Sequence, residues 1–207
     1  MRERSKKWSE AKMYKRGNKK KFSDFVYSVK SDPHRYLYIK NTLNRLKEED
    51  IDINTQNASG NTLLHLAIKM NDLKLFNIFL DSGVNVNLAN DNGDAPIHKA
   101  VLDDKILFVK SLVEHGCDLN LGTELEQTPL HLAVTKGNLE MVKYLVENGA
   151  DILLMDEINN LPIDYAIDEK DEKMIKYFMD KQTLDEARKM KVDIILNKGV
   201  EKNDWDI

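Results

Sequence analysis

Three histidines, His65, His98 and His131, stand 33 residues apart. Imidazole ligates transition metals and both donates and accepts hydrogen bonds, so a regular histidine row first raises a metal centre. The spacing argues against one. If each histidine opens its own helical unit, neighbouring rings sit about one helix spacing apart, ~8–10 Å. A zinc-bound nitrogen lies about 2.0–2.1 Å from its metal, so three such rings cannot share an ion. No metal ligand is assigned, and a structural role is expected for each ring.

The other reactive residue types are equally unpromising as a catalytic set. Asp103–Asp104 and the group Asp168, Glu169, Asp171 and Glu172 bring carboxylates together, but acid–base work needs a pocket that pushes their pKa values apart. These acids fall at the ends of short periodic segments, where a solvated face is expected. Cys117 is the only cysteine. It cannot form an internal disulfide, which fits a reducing compartment, and it reads as a small buried side chain rather than a nucleophile. DNGDAP (91–96) is a turn and not a glycine-rich phosphate loop. The expectation is no catalytic residue, no cofactor and no enzyme activity.

The elements that position these residues follow from one repeated string. TPLHLA at 128–133 has weaker copies at TLLHLA (62–67), APIHKA (95–100) and LPIDYA (161–166). A 33-residue period signals stacked helical units rather than one globular core. Thr62 and Thr128 suit helix starts, because a hydroxyl accepts from free backbone N–H groups. Pro96, Pro129 and Pro162 fall in the first turn, where a missing N–H costs nothing. Leu64, Ile97, Leu130 and Ile163 then point to a buried face, and Ala67, Ala100, Ala133 and Ala166 keep one helix surface thin. In each second helix Phe76, Phe79 and Leu80, then Val109, Leu112 and Val113, then Val142, Leu145 and Val146 are spaced i, i+3, i+4. Gly83, Gly116 and Gly149 stop those helices where a left-handed residue is needed.

This pattern closely resembles the ankyrin repeat, a 33-residue unit with the signature T-P-L-H-x-A. LEMVKYLVENGAD (139–151), ILFVKSLVEHGCD (106–118) and LKLFNIFLDSGVN (73–85) look like the family's second helix and its glycine stop. The resemblance implies an all-α ankyrin-repeat solenoid of stacked helix-turn-helix units with short β-hairpin turns. It also implies that the motif histidines bond backbone groups between repeats. The expected divisions are a basic arm (1–21), a degenerate N-terminal capping repeat (22–56, helices near 23–30 and 36–48), repeats at 57–89, 90–122 and 123–155, a partial C-terminal repeat (156–182), and a terminal helix and tail (183–207). The degenerate capping repeat has VKSD (29–32) in the TPLH slot; the last motif has Asp164 in the His slot and Gln182 in the Gly slot. TLDE (183–186) reads as a capping box for a helix running to about Asn197, with Gly199 as its stop.

The resemblance further implies a protein-interaction module, an adaptor, scaffold or inhibitor, that binds through finger tips and inner-helix ends. By register the tips carry Ala58, Ser59 and Asn61; Asp91, Asn92 and Asp94; Glu124, Leu125 and Gln127; and Glu157, Ile158 and Asn160. The inner-helix ends carry Lys69 and Met70; Leu102 and Asp103; Thr135 and Lys136; and Asp168 and Glu169. The acids outnumber the lysines, and Met70, Leu102, Leu125 and Ile158 stand where packing does not ask for apolar residues. A basic protein partner with apolar anchors is therefore expected, bound by a monomer.

Charge is unevenly placed. Residues 1–21 hold ten Lys/Arg and two Glu, a net +8, while the remainder holds 21 basic and 33 acidic residues, a net −12. Trp8, Tyr14 and Phe22 are mixed with the basic arm. The alternative function is therefore a nucleic-acid or anionic-membrane contact through residues 1–21, against a solvated tail. No signal peptide and no run of about 20 apolar residues is visible. A cytoplasmic protein is expected. The Asn-, Lys- and Ile-rich composition fits an AT-rich genome, and export to a host cell by a signal-less route stays open for a bacterial source.

Overall fold

The computed structural model describes residues 34–48, 52–181, 189, 192–193 and 196. The basic arm, the helix expected near 23–30 and the capping box at 183–186 lie outside the described residues. Of the terminal helix only residues 189, 192, 193 and 196 are described; all four are helical, and Val192 is buried. Apart from these four, the described residues form nine helices, and no strand occurs among the described residues.

The chain divides into two compact units at Pro96/Ile97. The first holds α1 (Arg35–Glu48), α2 (Leu63–Met70) and α3 (Leu73–Asp81), with α3 packed against both α1 and α2. The second holds α4 (Pro96–Leu102, starting on the last residue of the first unit), α5 (Ile106–Glu114), α6 (Pro129–Thr135), α7 (Leu139–Glu147), α8 (Pro162–Asp168) and α9 (Glu172–Met179). There α6 packs on α7 and α8, and α8 packs on α9.

The two helix types in each repeat differ because their surroundings differ. The inner helices are buried nearly all round: Leu63 to Ile68 in α2 and Pro129 to Val134 in α6 are each six consecutive buried residues. A short helix that is apolar on every side is a core element. The outer helices are amphipathic. Their buried stripe is Leu75, Phe76, Phe79 and Leu80 in α3, Phe108, Val109 and Leu112 in α5, Met141, Val142 and Leu145 in α7, and Met174, Ile175 and Phe178 in α9. The expected stripe holds in α3, where Phe76, Phe79 and Leu80 are all buried, and is corrected in α5 and α7. Val113 and Val146 are only half-buried, and Phe108 and Met141 take their place. A stripe at i, i+1, i+4 covers the same helix face as i, i+3, i+4 one step round, and the larger Phe and Met side chains fill the deeper side.

Outer helices are also tied to each other by a repeated cation–π contact in the second unit. Lys110 Nζ lies 5.5 Å from the Tyr144 ring centroid, and Lys143 Nζ lies 6.0 Å from that of Tyr177. Each pair links one outer helix to the next. Such contacts contribute roughly 0.5–1 kcal/mol at exposed sites.

Three backbone positions per repeat are left-handed. One holds the expected Gly83, Gly116 and Gly149. The second, at the end of each inner helix, holds Asn71, Asp104, Gly137 and Lys170. The third, in each finger, holds Gly60, Gly93, Glu126 and Asn159. At Gly60 the need for glycine is twofold. Its φ is +69°, and a Cβ there would meet the Asp91 backbone nitrogen at 2.4 Å.

Candidate functional site

The motif histidines are held as structural hydrogen-bonding groups. The Thr62 N–H donates to His65 Nδ1 (3.2 Å), and the Thr128 N–H donates to His131 Nδ1 (3.1 Å). An Nδ1 that accepts from a backbone N–H carries no proton, so Nε2 carries it in the neutral ring. Nε2 then donates to a backbone carbonyl further along the chain: His65 to Asp94 (2.9 Å), His98 to Leu121 (2.7 Å) and His131 to Asn160 (3.1 Å). In His65 and His131 both ring nitrogens are thus engaged. Burial pushes the His131 pKa down, outweighing the Asn160 carbonyl and the Asp156 and Asp164 charges. In the last motif Asp164 takes over the accepting half of the job, its Oδ2 receiving the Leu161 N–H at 2.8 Å.

Four of the six acids singled out from sequence are bound up locally. Lys99 Nζ sits 2.6 Å and Lys105 Nζ 3.6 Å from Asp103 carboxylate oxygens. Asp104 accepts from the Asn138 amide. Asp171 caps α9, accepting from the N–H groups of Lys173 (3.1 Å) and Met174 (3.0 Å), and Glu172 pairs with Lys176 at 4.0 Å. Asp168 and Glu169 are exposed. Cys117 is half-buried, and burial pushes its thiol up to about 12, so it stays protonated at neutral pH and is a poor nucleophile. Among the described residues no group of three or more His, Cys, Asp or Glu could hold a metal ion.

What remains are the fingers, two in each unit. Each is closed at its base by a backbone hydrogen bond, Asn57 N–H to Asn61 O (3.0 Å), Asn90 to Asp94 (2.9 Å), Thr123 to Gln127 (3.0 Å) and Asp156 to Asn160 (3.0 Å), and a second backbone bond runs to the opening residue's carbonyl from Gly60, Gly93, Glu126 and Asn159. In three of them the opening side chain adds two more. Asn57 Oδ1 accepts from Ser59 and Asn61, Asn90 Oδ1 from Asn92 and Asp94, and Asp156 Oδ1 from Ile158 and Asn160. Neighbouring tips within a unit touch through backbone: the Asp91 N–H donates to Ser59 O (3.3 Å), and the Glu157 N–H donates to Leu125 O (3.1 Å).

The sequence-derived site residues fall into three groups. Asp91, Asn92, Glu124, Leu125, Glu157 and Ile158 are exposed at the tips. Asn61, Asp94, Gln127 and Asn160 are half-buried at the finger bases and serve the fold. Asn61 accepts from the Asn90 amide (3.0 Å), the Asp94 and Asn160 carbonyls take the histidine bonds, and the Gln127 amide donates to the Tyr165 hydroxyl (2.8 Å). Met70, Leu102 and Asp103 at the inner-helix ends are half-buried, and Asp103 is already neutralised by two lysines.

Sequence reasoning passed over three exposed residues beside the later tips. Glu126 occupies the slot of Gly60 and Gly93, with φ +55°. Met155 and Leu153, 50% and 59% exposed, occupy slots that hold Gln56, Ala89 and Gly122, and Asn54, Asn87 and Asn120. Asn54 Oδ1 accepts the Asn85 N–H (2.6 Å), and Asn120 Oδ1 accepts the Asp151 N–H (2.8 Å); a leucine at 153 has no such bond to give. Aligning the repeats column by column carries this signal.

One carboxylate is more deeply set. Asp156 also accepts from the Tyr165 hydroxyl. Burial raises its pKa, but the Tyr165 hydroxyl and the Asn160 and Ile158 N–H groups overcome this, and the net shift is downward. The same hydroxyl receives the Gln127 amide, so a single tyrosine joins two successive fingers.

A helix pair followed by a histidine-tied finger, repeated every 33 residues, defines a helical repeat protein. The family profile described as "Ankyrin repeats (3 copies)" matches residues 35–123, and that described as "Ankyrin repeats (many copies)" matches residues 112–166. Together they span residues 35–166, and the chain belongs to the ankyrin-repeat family. Ankyrin repeats generally mediate protein–protein interaction and are typically non-enzymatic. No curated protein sequence matches the chain. Among the described residues no helix is long and apolar enough to cross a membrane.

Proposed function

We propose that this chain is a non-enzymatic adaptor, scaffold or inhibitor that holds a protein partner against its finger tips and inner-helix ends. The supporting observation is the freedom of the tip position. Ser59, Asn92, Leu125 and Ile158 occupy one slot in four fingers closed by the same backbone bond, so packing does not choose the residue there. The binding mechanism is surface complementarity. A finger whose backbone is already fixed by reciprocal hydrogen bonds loses little entropy on association. The partner is a basic protein with apolar side chains, met by Met70 and Asp91 in the first unit and by Leu102, Glu124, Leu125, Glu157 and Ile158 in the second.

Partner capture with three baits tests this: the full chain, a deletion of residues 1–21, and Leu102→Asp/Leu125→Asp matched for helicity. The reading predicts a protein that survives the deletion and is lost with the double variant. Capture of nucleic acid or anionic vesicles that depends on residues 1–21, and is steeply weakened by salt, would replace it with a basic-arm function.

A further inference from the structure

We infer that the two fingertips of the second unit are the anchor site, and that they take a basic protein segment carrying large aliphatic or aromatic side chains. This rests on the interaction reading above and narrows it to one part of the surface. Leu125 is 56% and Ile158 70% exposed, and the Glu157 N–H bond to the Leu125 carbonyl places them on adjoining tips. The equivalent pair in the first unit, Ser59 and Asn92, is polar and makes the same tip-to-tip contact. The fold therefore does not require apolar residues at this slot. Two large apolar side chains exposed on adjoining tips, with a polar rim, are the arrangement of an interface core.

The rim fixes the partner's charge. Glu124, Glu126 and Glu157 are all exposed, and no ion pair engages them among the described residues. Asp103, by contrast, is held between Lys99 and Lys105. Glu126 is the most telling of the three. It sits with φ +55° in a slot that is glycine in both fingers of the first unit, a conformation that disfavours L side chains. A carboxylate is thus presented where the fold would do better without a side chain. Lysine and arginine complement this rim, whereas the phosphates of nucleic acid or an anionic membrane are repelled by it.

Short random peptides displayed on phage, panned on the immobilised full-length protein, test the inference. The expected peptides carry net positive charge and a large apolar residue. The tightest of them, synthesised, should bind Leu125→Asp/Ile158→Asp about tenfold or more weakly, the effect of losing an anchor. Glu126→Gln should weaken binding with an unchanged thermal midpoint. Glu126→Gly should weaken binding while raising the midpoint, a pair of effects that a purely structural residue would not give. Acidic or neutral peptides, or binding indifferent to Leu125, Ile158 and Glu126, would overturn the inference. If such peptides are instead lost with Met70→Asp/Leu102→Asp, the interaction reading stands without it. Failure to recover any peptide counts against both.

Discussion

In the finger at 57–61, Asn57 clamps the turn with its side chain and Gly60 leaves room for the next finger's backbone. In the finger at 123–127, Thr123 has no carboxamide or carboxylate to do the same, and Glu126 stands in the glycine slot. The same 33-residue unit thus produces a polar, well-clamped tip in the first unit and an apolar, acid-rimmed, strained one in the second. Backbone closure is common to both, so the difference lies in side chains the fold does not need. A repeat protein separates these tasks cleanly. Slots buried between helices keep their residue type from unit to unit, and tip slots carry the variation.

That contrast can be broken at several levels. The cores should respond alike. Phe79→Ala in the first unit and Phe178→Ala in the second remove side chains that are fully buried, and each should cost about 3–5 kcal/mol in urea denaturation. The fingers should respond in opposite directions. Gly60→Ala drives a Cβ into the Asp91 backbone and should cost about 1–3 kcal/mol, whereas Glu126→Gly should stabilise by up to about 1 kcal/mol, both read from thermal midpoints.

The histidine ties add a pH dependence. The His131 pKa is lowered on folding, so the unfolded chain takes up the proton first as pH falls below about 6.5. Stability should therefore be full above that pH and decline below it until the folded-state pKa is passed. His131→Gln should flatten this part of the pH–stability curve measured by denaturation. Leu125→Ser should be the smallest perturbation, within about 0.5 kcal/mol, because an exposed tip contributes little to the fold.

The period made most of the fold legible. Thr62, Thr128, Pro129, the motif histidines and Gly83, Gly116 and Gly149 each carry a specific physical requirement in their residue type. The misread phase of the outer helices has a simple origin. FVKSLVE (108–114) offers apolar residues at 108, 109, 112 and 113, and only the packed neighbours decide which edge of that stripe is deeper. The left-handed slot shared by Asn71, Asp104, Gly137 and Lys170 was hidden because four residue types fill it. Contacts between residues distant in sequence were also out of reach, such as Arg35 donating to Asp72 at 2.7 Å across 37 positions. The site was legible only as a register. Sequence placed Leu102 and Leu125 in one list, but only the structure separates a half-buried Leu102 from a Leu125 that is 56% exposed.

The most direct measurement titrates one selected basic peptide against two full-length variants, Ser59→Asp/Asn92→Asp and Leu125→Asp/Ile158→Asp. Both add two charges to adjoining tips, in the first and second unit respectively. The account predicts that the first variant binds as the parent does or slightly more tightly, and that the second loses about tenfold or more. Equal loss in both, or loss confined to the first, would contradict it.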